Sequence, residues 1–133
     1  MKLWDKGYNV DKQIENYTVG NDRELDTVIA KYDVIASKAH AKMLAKVGLI
    51  TEEEGILLVN ELEKLITIVS SKDFIIEDHF EDIHSKIEHH LIERLGDVGK
   101  KIHTARSRND QVLVAMHLYL KAHLSQIKTL TKI

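Results

Sequence analysis

Cysteine and proline are both absent from the chain. Without cysteine there is no disulfide, no thiolate metal site and no cysteine nucleophile. That composition suits a reducing compartment. Without proline nothing forces a break inside a long helix, so glycine and polar caps must do the stopping. Aromatic residues are few: one Trp, four Tyr and two Phe. No apolar run approaches the roughly 18 residues that a membrane helix needs. Met1-Lys2-Leu3-Trp4-Asp5-Lys6-Gly7 turns polar too early for a signal peptide. The expected location is therefore the cytoplasm, with no membrane partner. Charge of one sign is also lacking. Lys and Arg number 19 against 21 Asp and Glu, for a formal net charge of -2. Such a balance draws the chain neither to nucleic acid nor to a membrane surface.

What remains is a helical pattern. The 133 residues, 44% apolar and 30% charged, are enough for one domain with a modest core. Residues 1 to about 20 read as an extended or loosely helical lead-in, with Gly7 and Gly20 as breakers. A long helix is expected from Asp22 to Val47. Its apolar stripe runs through Leu25, Val28, Ile29, Tyr32, Ile35, Ala36, Ala39, Met43, Leu44 and Val47. Gly48 is placed to end it. Thr51-Glu52-Glu53-Glu54 is a capping box that opens the next helix, carried on by Ile56, Leu57, Val59, Leu62, Leu65, Ile66 and Val69. The short link makes the two antiparallel neighbours. Phe74-Ile75-Ile76 reads as a short extended piece. Asp78-x-x-Glu81 then opens a third helix, with Ile83, Ile87, Leu91 and Leu95 inward and Gly96 as its stop. Residues 97 to 106 read as a basic connection. The last helix begins near Ser107, with Asp110 in the third position, and runs to the end of the chain. The expected fold class is all-α. A helical domain over residues 1–105 is followed by the first helix, 106–133, of a bundle domain that continues beyond this chain.

Three groups of residues carry possible chemistry. His79, His84, His89 and His90 cluster, and His84 and Glu88 share a helical face at metal-compatible spacing. The HExxH pattern is absent, so ordinary surface histidines are expected and no metal site. His84 differs from its neighbours because Ile83 and Ile87 flank it, and it reads either as a satisfied, partly buried histidine or as part of a polar site. The second group is Lys100, Lys101, His103, Arg106 and Arg108. No aromatic residue is interleaved for base stacking, so nucleic acid is not an expected partner. The segment reads either as a solvated basic loop or as a site for a polyanionic small molecule; it leads into a helix N-terminus, where free backbone N–H groups and the dipole favour carboxylate or phosphate. Arg108 can bind a carboxylate with two parallel hydrogen bonds, and Asn109 offers both donor and acceptor. The third group is the apolar stripe Val112, Met116, Tyr119, Leu120, His123, Leu124, Ile127 and Leu130. It reads as a bundle helix awaiting partners.

The run Lys100-Lys101-Ile102-His103-Thr104-Ala105-Arg106-Ser107-Arg108-Asn109-Asp110-Gln111-Val112 resembles the first signature region of the argininosuccinate lyases, of the fumarase and aspartase superfamily. That pattern is hydrophobic-His-Thr-Gly-Arg-Ser-Arg-Asn-Asp-Gln, and Ala105 stands at its glycine. Glu81-Asp82-Ile83-His84, Ile87-Glu88 and Lys2-Leu3-Trp4 also match. Asp5-Lys6-Gly7-Tyr8 departs from the family's Gly-Gly-Arg-Phe.

The resemblance implies reversible β-elimination of argininosuccinate to arginine and fumarate, without metal or organic cofactor, by homotetramers built around a central helical bundle. It implies that Ser107, Arg108 and Asn109 contact substrate, with His84 near the site and Thr104 a further candidate. The family's early substrate-contacting serine has no secure counterpart, and Thr18 and Asp22 are its candidates. No catalytic residue is expected in this chain, because the family's base and acid lie downstream. The chain alone is therefore expected to be inactive. The competing expectation is a stand-alone helical interaction module without catalytic activity.

Overall fold

The computed structural model describes residues 12–131. They form α1 (Lys12–Val19), α2 (Asp22–Lys46), α3 (Glu52–Val69), α4 (Ile83–Leu95), α5 (Asp97–Lys100), a 3₁₀ turn at Lys101–His103, and α6 (Arg108–Leu130). No strand occurs among the described residues, so the fold is all-α, and Phe74-Ile75-Ile76 is irregular chain rather than sheet. The match at Lys2-Leu3-Trp4 lies outside the described residues.

Local chemistry sets the first two long elements. Gly48 takes φ +76 after α2, and the Leu49 N–H returns to the Leu44 carbonyl at 3.0 Å. The chain then reverses into Thr51, whose hydroxyl accepts from the Glu54 N–H at 3.1 Å. Glu54 answers through Oε2 to the Thr51 N–H at 3.0 Å. Helices α2 and α3 thus pack as an antiparallel pair. Gly55 lets them close: a Cβ there would stand 2.7 Å from Ala45 Cβ.

The core joins Ala30, Val34, Ala41 and Leu44 of α2 to Leu58, Leu62, Leu65 and Val69 of α3 and to Ile83, Ile87 and Leu91 of α4. Burying each large aliphatic side chain contributes about 1.5–3 kcal/mol. The buried face of α2 differs from the expected stripe. Leu25, Val28, Met43 and Val47 are exposed, while Asp33 and Ser37 lie inside. Apolar residues occupy more than one side of α2, so periodicity alone could not choose the inward one.

Two boundaries also differ. The cap of α4 is Asp82, whose side chain accepts from the Ser85 N–H at 2.7 Å. Asp78 lies in a turn instead, closed by the Phe80 N–H on the Glu77 carbonyl at 2.9 Å. The stretch expected as a connection is largely helical, as α5 and the 3₁₀ turn. Gly99 packs so tightly on α4 that a Cβ would run into the Leu91 carbonyl. Finally α6 lies along α2, with Ala115 and Gln111 buried and Tyr119 edge-on to Tyr32 at 5.8 Å. Its outward stripe remains open: Leu113 is 59% exposed, Leu124 61% and Leu130 84%.

Candidate functional site

The loop between the 3₁₀ turn and α6 is held from two sides. The Thr104 carbonyl accepts from His40 Nε2 of α2 at 2.9 Å. Ala105 turns the chain with φ +55, a left-handed conformation in which L-residues are strained. Ser107 then caps α6. Its hydroxyl donates to Asp110 Oδ2 at 2.7 Å and accepts from the Asp110 N–H at 3.3 Å. Asp110 returns to the Ser107 N–H at 2.8 Å. These contacts, the backbone N–H first, hold the Asp110 carboxyl below its ordinary range. Ser107 and Asn109 are exposed at this helix start.

Arg108 reaches the opposite way, to the start of α4. Its Nε stands 3.2 Å from Asp82 Oδ2. Its Nη2 donates to Ser85 Oγ at 3.2 Å, and Nη1 to Gln111 Oε1 at 3.4 Å. Asp82 therefore caps α4 and neutralises Arg108 at once. Behind it Asp26 accepts from the Ile83 N–H at 3.0 Å. Burial pushes the Asp26 carboxyl up, against that hydrogen bond and the nearby His84.

His84 is buried, one of the two readings the sequence leaves open. Its Nδ1 lies 2.7 Å from Asp33 Oδ2. Glu88 instead faces His103, with Nε2 to Oε2 at 2.9 Å, an ion-pair distance without hydrogen-bond alignment. That contact, outweighing burial, holds the Glu88 carboxyl below its ordinary value. The i, i+4 pair His84 and Glu88 thus turns to separate partners, and no metal-holding cluster occurs among the described residues. Arg106 donates from Nη1 to Ser37 Oγ at 3.1 Å. Burial lowers its pKa, opposed by the charge of Asp33.

Arg108 thus ties the start of α6 to the first turn of α4, where His84 sits, while Ser107 stays on Asp110. The Thr104 carbonyl is held by His40 of α2 instead. Asp22 is exposed, one turn before Asp26 on α2. The Thr18 hydroxyl donates to the Ile14 carbonyl within α1 at 3.0 Å. Sequence reasoning missed Asp33, Ser37, Asp82, Ser85 and Gln111. A signal for two of them was present: Asp33 and Ser37 fall on the same helical face as Ala30, Val34, Ala41 and Leu44. Polar side chains on an inward face need partners.

The geometry is a set of N–H donors and guanidinium groups, balanced by carboxylates, where α2, α4 and α6 meet. Comparison with known proteins adds the decisive observation: the profile of a family described as lyase matches residues 7–133. The chain belongs to this lyase family. Among its relatives, the argininosuccinate lyase of Bacteroides thetaiotaomicron is 50% identical over 126 residues, covering 95% of this chain and 28% of that protein. The argininosuccinate lyase of Thermotoga neapolitana is 50% identical over 129 residues, covering 97% of this chain and 32% of that protein. The argininosuccinate lyase of Parabacteroides distasonis is 47% identical over 126 residues. The chain thus spans less than a third of the length of these curated relatives. Among the described residues of this lyase family member, no helix is long and apolar enough to cross a membrane.

Proposed function

We propose that this chain is the N-terminal part of an argininosuccinate lyase, which cleaves argininosuccinate reversibly to arginine and fumarate by β-elimination. The observation that carries the reading is the identity of about half the residues with argininosuccinate lyases along nearly the whole chain. The signature region falls on the loop and first turn of α6, where the donors converge. In this reading Ser107, Arg108 and Asn109 bind the carboxylate-rich substrate, with Thr104 and His84 beside them. Thr18 and Asp22 are further contacts from the α1–α2 side. A substrate carboxylate would compete with Asp82 for Arg108. Cationic and N–H donors also favour negative charge developing next to a carboxylate during elimination.

The general base and acid come from the rest of the enzyme, so the 133-residue chain alone does not turn over. Residues 1–105 form the helical N-terminal domain and 106–133 begin the central bundle of a homotetramer. The enzyme works in the cytoplasm without metal or organic cofactor. Fumarate release, followed by ultraviolet absorbance, tests the proposal. The complete protein should cleave argininosuccinate, and Arg108→Ala should lower its kcat/KM by about 100-fold, the loss expected for charge-assisted hydrogen bonds. No cleavage by the complete protein would refute the assignment, and clear turnover by the 133-residue chain would refute its dependence on the remainder.

A further inference from the structure

Asp33, Ser37, His84 and Arg106 form a buried line of hydrogen bonds whose direction can be read end to end. Asp33 and Ser37 are fully buried and His84 nearly so. A guanidinium has donors only, so Arg106 Nη1 gives its proton to Ser37 Oγ at 3.1 Å. The single Ser37 proton is then directed to Asp33 Oδ1, 3.2 Å away. An ionised carboxylate only accepts. The second oxygen, Oδ2, lies 2.7 Å from His84 Nδ1. That proton must come from the imidazole.

We propose that Asp33 is a positioning residue that locks His84 in the Nδ1–H tautomer, with Arg106 and Ser37 setting the direction from the far end. In its neutral form His84 then offers Nε2 as a lone-pair acceptor. Arg108 brings only donors, suited to a carboxylate, while Asn109 brings both a donor and an acceptor. An acceptor at His84 complements them, since it takes an N–H or O–H donor such as a guanidinium or a water. Only the use of this acceptor rests on the proposed substrate site; the tautomer itself does not.

The test is a long-range proton–nitrogen correlation spectrum of the nitrogen-15-labelled chain, with His84 assigned by the signal lost in His84→Gln. At the neutral end of its titration, His84 should show a protonated Nδ1 and an unprotonated Nε2. Asp33→Asn keeps the shape but turns an amide N–H toward His84, because Ser37 still donates to the amide oxygen. The proton should then move to Nε2. Circular dichroism checks that this variant is folded. An Nε2–H tautomer in the unsubstituted chain overturns the proposal without any variant, and so does a folded Asp33→Asn chain that keeps Nδ1–H. No substrate enters the experiment. A complete enzyme that fails to cleave argininosuccinate, with the tautomer as stated, would overturn the proposed function alone.

Discussion

Ala105 stands where the signature of the argininosuccinate lyases has glycine, and the backbone explains the glycine. At φ +55 an alanine Cβ crowds the following carbonyl, at a cost of roughly 1–2 kcal/mol. Ala105→Gly removes that strain but lets the unfolded chain explore more conformations, which offsets about 0.4–1 kcal/mol. The variant should melt a few degrees higher, by about 3 °C in a thermal scan. His40 gives a second residue-scale prediction. Burial, followed by its neighbours Arg106 and His103, lowers its pKa below the ordinary 6.5, against the Thr104 carbonyl. The folded state thus disfavours the imidazolium. His40 contributes stability above about pH 6.5 that is lost as pH falls through the folded value. Glu88, depressed below 4.5, adds a further loss in the carboxylate range. Urea midpoints measured at about pH 7.5 and about pH 5.5 should fall with acid. His40→Gln should shrink that difference while leaving the loss at lower pH. The glycine-to-alanine exchange was legible in the sequence, but its strain was not, because φ is set by the contacts on either side of Ala105.

The elements divide by how local their causes are. Both capping boxes, at Thr51 and Ser107, were legible because donor and acceptor lie three residues apart in the chain. The start of α4 was not. Asp78-x-x-Glu81 fits the same pattern, yet the helix begins at Asp82. What selects Asp82 is distant: Asp26 receives the Ile83 N–H and Arg108 sits on the carboxylate. Gly99 misled in the same way. It falls in the stretch expected as a connection and is instead a point of close approach between α5 and α4. Gly55 tests this logic. Helix propensity alone favours alanine by about 1 kcal/mol. The Cβ, however, would sit 2.7 Å from Ala45 Cβ and push α2 from α3. Gly55→Ala should therefore destabilise, by about 1–2 kcal/mol of overpacking net of propensity. Urea denaturation decides, and a more stable variant would mean the two helices can part without loss.

At the scale of the molecule, the all-α class and the antiparallel α2–α3 pair were legible from period, caps and one short link. The candidate site was half legible. Ser107, Arg108 and Asn109 stand in one local run, whereas Asp33, Ser37, Asp82 and Ser85 join it only through folding. The outward stripe of α6 matches expectation in part: Leu120, Leu124, Ile127 and Leu130 are exposed, but Leu113 joins them from outside the expected stripe and Tyr119 turns to Tyr32. Its exposed Leu113, Leu120, Leu124 and Ile127 follow one helical face, and contiguous apolar surface of that kind drives association. Sedimentation should show the chain self-associating as concentration rises. A monomer at high concentration would contradict that, and Leu120→Lys with Leu124→Lys should return an associating chain to monomer.

One helix carries both features, and a helix transmits tilt like a rod. From Arg108 to Ile127 the axis is about 30 Å long at 1.5 Å per residue. If the far end swings by about 5° around its middle turns, the Ser107 end moves by about 1 Å, a displacement that can cost about 100-fold in rate. The aim of the turn proposed to hold substrate is then set at the opposite end of the helix, by how firmly its last turns are gripped.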